Sequence, residues 1–194
     1  MEGLTPNSST PSAKTDLLRY RVLFVCTGNI CRSAYANVVA PSAGLHGVEF
    51  DSAGTHALVG NPIDPPMALL VGERGDPASH HAQQLTRELM TNSDLVITMS
   101  SNHRRYILDE WPVLGRKAFL IGQVAREVER LPESVTLDTL VKHLWKHRSP
   151  ADGDEVADPY LLGPAAAQEA ARAIDAHLDS ILGGLGSLLN QPSS

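Results

Sequence analysis

Residues 26–33 read Cys-Thr-Gly-Asn-Ile-Cys-Arg-Ser, so that a cysteine and an arginine stand six positions apart. A loop of this length can fold around a phosphate with its backbone N–H groups pointing at the oxygens. Arg32 would add a planar fork of donors that matches two phosphoryl oxygens, in the substrate and in the transition state. Cys26 would be the nucleophile, with Ser33 Oγ donating to its sulfur. The spacing predicts phosphoryl transfer to a cysteine, without a metal ion or another cofactor.

The predicted phosphate-binding residues form one continuous stretch. They are Thr27, Gly28, Asn29, Ile30, Cys31, Arg32 and Ser33. A cysteine and an arginine at this spacing also occur by chance, as a buried strand-end cysteine and an exposed helix residue. The neighbouring segments favour the functional interpretation, because a strand, a turn and a helix start lie where such a loop needs them. A helix start beside an arginine favours the thiolate without a histidine base.

Attack on phosphorus also requires an acid for the leaving oxygen and later a base for water. Asp158 can serve as both, because it stands in the triplet 158–160, Asp-Pro-Tyr, after an acidic, glycine-containing stretch. Pro159 would stiffen the turn that presents it. An Asp-Pro pair is also common in ordinary turns, so a solvated loop aspartate is the alternative interpretation.

The elements around the loop follow from local patterns. The segment 20–25 is a short apolar run typical of a strand buried on both faces, and it ends at Cys26. Gly28 and Asn29 tolerate the positive φ angles of a tight turn. The residues from Ser33 onward predict a helix, which Pro41 would bend or end.

Strands and helices alternate along the rest of the chain. Further strands are predicted at 48–52, 94–99 and 117–121, and helices at 67–74, 86–91 and 102–110. A last helix begins at Pro164 and carries an apolar stripe until Gly183, Gly184 and Gly186 weaken it. The alternation predicts an α/β fold, a three-layer sandwich with a central, mainly parallel four-stranded sheet.

One domain is predicted over residues 19–189, after a polar tail at 1–18 that we expect to be disordered. Residues 124–157 are charged and partly helical, and their apolar residues suffice for a small covering insertion. These are Leu131, Val135, Leu137, Leu140, Val141, Leu144 and Trp145. A cover at this place would narrow access to the cleft or recruit a partner.

Composition limits the classes of function. The 194 residues are 42% hydrophobic and 20% charged, which suits one compact domain. A formal net charge of −6 provides no basic field, so we expect neither nucleic acid nor a membrane as partner. No apolar run approaches the roughly 20 residues that span a bilayer, and residues 1–15 lack a signal-peptide core. We therefore expect a cytoplasmic protein.

Residues 25–33 resemble the signature loop of the low-molecular-weight protein tyrosine phosphatases. Later segments resemble further landmarks of that family in the same order, between about Tyr20 and Leu185: 51–55, 60–62, 79–86, 94–99 and 158–160. The resemblance implies hydrolysis of protein phosphotyrosine through a cysteinyl-phosphate intermediate. Asp158 is then the general acid and base, and catalysis needs Cys26, Arg32 and Asp158. A phosphotyrosine protein is the implied substrate, and a tyrosine kinase is one candidate.

The resemblance also implies a set of supporting residues. Asn29, Ser33, Ser52 and His80 would form a hydrogen-bonded network beneath the loop, with His80 holding Asn29 in its strained turn. Ile30, Leu58 and Tyr160 would line the substrate cleft. Cys31 has two interpretations, as a buried apolar residue or as a resolving thiol that forms a reversible disulfide with Cys26.

Four features depart from the family pattern. Ala34 stands where a proline is frequent, which should matter little at a helix start. Ser100 stands where an aspartate usually braces the loop arginine, which predicts a less firmly oriented Arg32. The loop 55–60 is shorter than usual and lacks the aromatic side chain that normally walls the cleft. The segment 124–157 is longer than the usual connection.

Related activities use the same kind of loop. Thioredoxin-coupled arsenate reductases carry further cysteines downstream, and this chain has none after Cys31, which leaves an arsenate reductase using an external thiol. The opening Cys-Thr-Gly-Asn also resembles protein-arginine phosphatases, but these tend to carry threonine where Ile30 stands, and Ile30 suits a phenyl ring better. A phosphoprotein-binding module is disfavoured because it needs neither Cys26 nor Asp158.

Overall fold

The computed structural model describes residues 19–191. Its core is a four-stranded parallel sheet in the order β2-β1-β3-β4. The strands are β1 (Tyr20–Cys26), β2 (Val48–Gly54), β3 (Leu95–Thr98) and β4 (Ala118–Leu120). The helices are α1 (Arg32–Val39), α2 (Pro65–Val71), α3 (Arg87–Asn92), α4 (Ser101–Glu110), α5 (Ile121–Val128), α6 (Leu137–His147) and α7 (Pro164–Leu189). The predicted tail at 1–18 lies outside the described residues.

Strand β1 separates two hydrophobic layers because its successive side chains point to opposite faces of the sheet. Val22 and Phe24 belong to the larger core cluster, together with buried residues of α1, α5 and α7. Leu23 and Val25 belong to the smaller cluster, together with Met90 of α3 and Ile107 of α4. The predicted α/β three-layer sandwich is therefore confirmed.

The topology places a crevice beside Cys26. From β1 the chain passes through α1 to β2 on one side, and β3 then pairs with the other side of β1. Such a switch of direction opens a crevice outside the carboxyl ends of the strands, which is where open α/β sheets bind ligands. Cys26 ends β1, and Ser100 follows β3 at the same edge.

The final helix carries the predicted apolar stripe past the glycines that were expected to weaken it. It continues through Gly183, Gly184 and Gly186 and ends at Leu189. The buried stripe also continues, through Ile181, Leu185 and Leu188. A Cβ at position 184 would lie 2.6 Å from Val128 Cβ on α5, so Gly184 allows the two helices to approach closely. Packing thus compensates for the weak helix propensity of glycine.

The segment 124–157 is part of the main core. Its buried residues Val135, Leu140 and Leu144 join the larger cluster, and Leu131, Leu137, Val141 and Trp145 pack against it. Leu137 and Val141 share a surface groove with Tyr20, which begins β1. Helix α6 therefore lies at the opposite end of β1 from Cys26, and it does not form the expected cover over the cleft. Within 19–191, no helix has the length and hydropathy needed to cross a bilayer.

Two adjacent glycines of α7 offer a test of this packing. A Cβ at position 183 meets no atom within 4 Å, so Gly183→Ala should stabilise the protein by about 0.5–1 kcal/mol through helix propensity. Gly184→Ala should destabilise it by about 1–3 kcal/mol, because the new methyl group collides with Val128. Urea denaturation measures both free energies of unfolding. Stabilisation by both variants would show that α5 and α7 are not in this close contact.

Candidate active site

The loop after β1 turns sharply at Asn29, which has a φ of 55° in the left-handed region. This conformation is costly for a residue other than glycine, and the surroundings must hold it. Asn29 Nδ2 donates to Ser33 Oγ and to Ser52 Oγ, both at 2.9 Å, and Asn29 Oδ1 accepts from the backbone N–H of Gln83 at 2.8 Å. Ser33 and Ser52 are two of the residues expected beneath the loop.

His80 completes the support of this turn. Its Nε2 lies 2.7 Å from the backbone carbonyl oxygen of Asn29. A carbonyl only accepts, so Nε2 carries the proton and donates. Burial lowers the pKa of His80, so the ring is neutral at physiological pH. The structure thus brings together Asn29, Ser33, Ser52 and His80, and it adds Gln83, which sequence reasoning missed because a backbone N–H leaves no residue signature.

Cys26 is buried at the end of β1 with its Sγ 2.9 Å from Ser33 Oγ. Ser33 Oγ accepts from Asn29 Nδ2 and can donate its own hydrogen to the sulfur, because the other acceptor within reach, the Ala53 carbonyl oxygen, is 3.5 Å away. Asn29 and Ser33 therefore form a chain of donors that ends at Cys26. A hydrogen bond from such a donor stabilises negative charge on the sulfur atom.

Arg32 lies beneath the same loop and is almost fully buried. Its Nη2 donates to Asp158 Oδ2 at 2.5 Å, and its Nη1 donates to the carbonyl oxygen of Val156 at 3.0 Å. Its Nε is also buried but has no hydrogen-bond partner within residues 19–191. A buried donor without an acceptor is costly, and a bound phosphoryl oxygen would satisfy it. Arg32 is thus oriented despite the absence of the family's bracing aspartate.

Asp158 stands at the entrance of the site, with its side chain 49% exposed against 5% for Arg32. Its Oδ1 accepts from the backbone N–H of Tyr160 at 3.2 Å, so the turn that follows fixes the carboxylate. Asp154 in the preceding stretch is different: it is buried, pairs with Arg126 and accepts from the backbone N–H of Ala151 at 2.9 Å. Asp154 is therefore a structural carboxylate, while Asp158 faces the cleft.

Ser100, which stands where the family usually has an aspartate, contacts the loop through a histidine. Ser100 Oγ is hydrogen-bonded to His103 Nδ1 at 3.0 Å, and His103 Nε2 is hydrogen-bonded to Thr27 Oγ1 at 2.9 Å. Burial first, and the charge of Arg32 second, lower the pKa of His103 to about 4, while Asp158 acts in the opposite direction. A neutral imidazole thus connects α4 to residues 26–33, the predicted phosphate loop. Sequence reasoning missed His103, because a lone helical histidine has no spacing signal.

The cleft in front of Cys26 is walled by apolar side chains. The three residues expected in the cleft, Ile30, Leu58 and Tyr160, all line it, together with His56. The backbone N–H groups of His56 and Leu58 donate to the carbonyl oxygens of Thr27 and Gly28, each at 3.0 Å, which seats the loop 55–60 against the phosphate loop. The short loop lacks the usual aromatic wall, but the ring of His56 lies edge-on to Tyr106 at 5.4 Å.

Cys31 is buried in the same loop as Cys26 and is not bonded to it. Burial first, and the nearby Asp64 carboxylate second, raise the pKa of its thiol. Cys31 is therefore a protonated thiol at neutral pH in this arrangement. The resolving role and the packing role both remain predictions.

Comparison with known proteins agrees with the sequence resemblance. The family model described as low molecular weight phosphotyrosine protein phosphatase matches residues 21–136. The protein-arginine-phosphatase of Geobacillus stearothermophilus is 36% identical over 104 residues, which cover 54% of this chain and 70% of that protein. The low molecular weight protein-tyrosine-phosphatase Etp of Escherichia coli K12 is 37% identical over 109 residues, which cover 56% and 73%.

Solved structures share the architecture as well. The YwlE arginine phosphatase of Geobacillus stearothermophilus superposes with a TM-score of 0.72 at 25% identity, covering 90% of this chain and 99% of its own. Vibrio vulnificus Wzb, in complex with benzylphosphonate, gives a TM-score of 0.66 at 26% identity, covering 85% and 98%. The overall architecture is therefore shared with an arginine phosphatase and with Wzb.

The neutral state of His103 leads to a pH-dependent prediction. Its pKa is about 4 in the folded chain and near 6.5 when unfolded, so the unfolded chain binds more protons between these values. Neutral His103 thus contributes fully to the free energy of unfolding above pH 6.5, and this contribution is lost as the pH falls towards 4. Between pH 7.5 and pH 5, the free energy of unfolding of wild type should fall by about 1–2 kcal/mol more than that of His103→Gln.

The control is His46→Gln, because His46 is exposed. Its free energy of unfolding, measured by urea denaturation, should follow the wild-type dependence on pH. Parallel curves for wild type and His103→Gln would contradict the buried, neutral histidine.

Proposed function

Because the chain belongs to the low molecular weight phosphotyrosine protein phosphatase family, we propose that it hydrolyses phosphotyrosine in proteins, with Cys26 as nucleophile and Asp158 as general acid. The contact between Arg32 and Asp158 carries the proposal. It brings a carboxylate 126 positions away in the chain to the guanidinium of the phosphate loop. A proton donor, a phosphate-binding cation and a nucleophile thus share one cleft.

The first step forms a cysteinyl phosphate. The phosphoryl oxygens accept hydrogen bonds from the backbone N–H groups of the loop and from Arg32, including its unpartnered Nε. The substrate phosphate thereby displaces Asp158 from Arg32. The freed carboxylate, now beside a negatively charged phosphate, takes up a proton from solvent and turns towards the leaving oxygen. The Cys26 thiolate attacks phosphorus, the bond from phosphorus to the tyrosine oxygen breaks, and Asp158 protonates that oxygen.

The second step restores the enzyme. Asp158, now ionised, takes a proton from a water molecule, and the water oxygen attacks the phosphorus of the cysteinyl phosphate. The sulfur–phosphorus bond breaks, and Cys26 leaves as the thiolate that Ser33 Oγ supports. Inorganic phosphate is released, and Asp158 again carries the proton. One carboxylate thus serves as acid in one step and as base in the next.

Phosphotyrosine is favoured over phosphoarginine by the walls of the cleft. Ile30, Leu58 and Tyr160 offer apolar surfaces that suit a phenyl ring. A phosphoarginine side chain carries a polar guanidinium, which these three residues offer little to bind. The similarity to the Geobacillus stearothermophilus arginine phosphatase makes phosphoarginine the second candidate. Assays of matched phosphotyrosine and phosphoarginine peptides would distinguish the two activities.

The chemistry of the two cysteines also bears on the cellular compartment of the enzyme. Turnover requires Cys26 as a free thiol, with Cys31 reduced beside it, and such a pair persists in a reducing compartment. We place the protein in the cytoplasm for this reason. Its partners would be phosphotyrosine proteins, with a tyrosine kinase as one candidate. The net charge of −6 supports neither nucleic acid nor a membrane surface as a partner.

Replacing the nucleophile tests the mechanism directly. Cys26→Ser should abolish turnover of p-nitrophenyl phosphate, because a serine at this place lacks the reactive thiolate. It should still bind inorganic phosphate, because Arg32 and the backbone of the loop are unchanged. Steady-state assays measure turnover and titration calorimetry measures binding. Retained turnover would exclude the cysteine mechanism.

Replacing the acid should have an effect that depends on the leaving group. Asp158→Asn should slow hydrolysis of phosphotyrosine by about 10²–10⁴-fold, since a phenolate with a high pKa needs protonation. With dinitrophenyl phosphate, whose leaving group has a low pKa, formation of the phosphoenzyme should be slowed much less. Stopped-flow measurements of phosphoenzyme formation give both rates.

Asp152→Asn is the matched control for Asp158→Asn, because Asp152 is an exposed carboxylate in the same stretch. It should retain near-normal activity on both substrates. Asp154 does not serve as a control, because it is buried and paired with Arg126. An Asp158→Asn defect of equal size for both leaving groups would mean that another residue is the acid.

A further inference from the structure

Exposed apolar side chains concentrate around the cleft. Seven large apolar residues are exposed within 19–191, and five of them lie in two short segments, 58–59 and 160–162. Leu58 and Tyr160 line the cleft itself. Val59, Leu161 and Leu162 follow them directly in the chain and do not line it; they are 67%, 82% and 68% exposed. We call these three residues the apolar rim.

The rim is held at an energetic cost. Leu161 has a φ of 61°, in the left-handed region that residues other than glycine and asparagine seldom adopt. The turn is closed by a hydrogen bond from the backbone N–H of Leu162 to the carbonyl oxygen of Pro159, at 3.0 Å. Leu161 therefore gains no burial in return for its strained backbone. Such strain persists mainly at functional sites.

The rim residues directly follow the residues that line the cleft. A phosphotyrosine that reaches Cys26 enters between Leu58 and Tyr160, because these two residues line the cleft. The substrate residues on either side of the phosphotyrosine follow at about 3.3–3.6 Å per residue in an extended chain, so they remain close to the entrance of the cleft. The residues that directly follow Leu58 and Tyr160 in this protein are those of the rim.

Neither rim segment offers a charged partner. Residues 57–63 and 159–168 contain no Asp, Glu, Lys or Arg. Charged neighbours of the phosphotyrosine would thus lose hydration at the rim without gaining an ion pair there, and the adjacent Asp158 carboxylate is already engaged with Arg32. Apolar neighbours would be removed from water. The missing lysines and arginines also argue against an anionic lipid surface as occupant. A stable dimer needs about 20–30 residues on each side, far more than the three of the rim.

We infer that the apolar rim binds apolar side chains next to the phosphotyrosine, so that the substrates of this enzyme carry apolar residues on either side of the phosphorylated position. This inference rests on the proposed phosphotyrosine hydrolysis. The rim acts on peptide recognition and has no part in the chemistry at Cys26. Its loss should therefore change kcat/KM for peptides and leave turnover of a small aryl phosphate unchanged.

The experiment compares two phosphotyrosine peptides that differ at the two positions on each side, Leu and Val in one and Ser and Asp in the other. The enzymes are wild type, the double variant Leu161→Asn with Leu162→Ser, and the control Leu69→Ser. Asparagine tolerates the left-handed backbone at position 161. Leu69 is 85% exposed on α2 and does not line the cleft.

Wild type and Leu69→Ser should hydrolyse the apolar peptide with a kcat/KM about tenfold above that of the polar peptide, as burial of one leucine allows. The double variant, which keeps only Val59 of the rim, should lose most of this difference, and all three enzymes should turn over p-nitrophenyl phosphate equally. Equal kcat/KM of wild type for both peptides would overturn the inference while leaving the proposed function intact. Hydrolysis of p-nitrophenyl phosphate but of neither peptide would overturn both.

Other occupants of the rim would give different results. Sedimentation would detect a second copy of the chain, as a dimer of wild type that the double variant does not form. Flotation with vesicles of phosphatidylcholine and phosphatidylserine would detect a membrane, as binding that the double variant loses. Either result, combined with unchanged peptide preference in the double variant, would overturn the inference.

Discussion

The shape of the phosphate loop depends on the way Asn29 is held in a left-handed conformation. This buried residue bonds through its side chain to Ser33, Ser52 and the backbone of Gln83, and its carbonyl oxygen accepts from His80. The partners come from α1, from β2 and from the segment before α3. The left-handed conformation of Asn29 is unfavourable by itself, and each of these bonds supports it. The loop therefore keeps its shape only when these elements are packed together. The loop is thus a product of the whole sheet.

Arg32 connects the proposed phosphate site to the proposed general acid. In the free protein Arg32 donates to Asp158 and Val156, and its buried Nε has no acceptor within the described residues. A phosphoryl group would satisfy that donor and compete for the ion pair with Asp158. Arrival of substrate and release of the acid would therefore be coupled through one guanidinium. This coupling needs no movement of the loop, which Asn29 and His103 hold from two sides.

Much of the fold could be predicted because its signals are local. The four strands were expected within a few residues of their observed bounds, since each is a short run of apolar or β-branched residues. The length of α7 and the place of α6 could not be predicted in the same way. Gly184 is favourable in α7 because Val128 of α5 lies against it. Likewise, Leu140 and Leu144 identify α6 as amphipathic but do not say which part of the sheet it covers.

The sequence by itself determined that a strand, a tight turn and a helix start surround Cys26, because contiguous residues encode all three. Resemblance to known motifs then indicated Asp158, His80 and the walls of the cleft. Only the tertiary structure decided that the Val156 carbonyl orients Arg32 and that His103 joins Ser100 to Thr27. Every residue has a carbonyl group, and a single histidine on a helix has no pattern. Such contacts join residues far apart in the chain, so the packing of whole elements determines them.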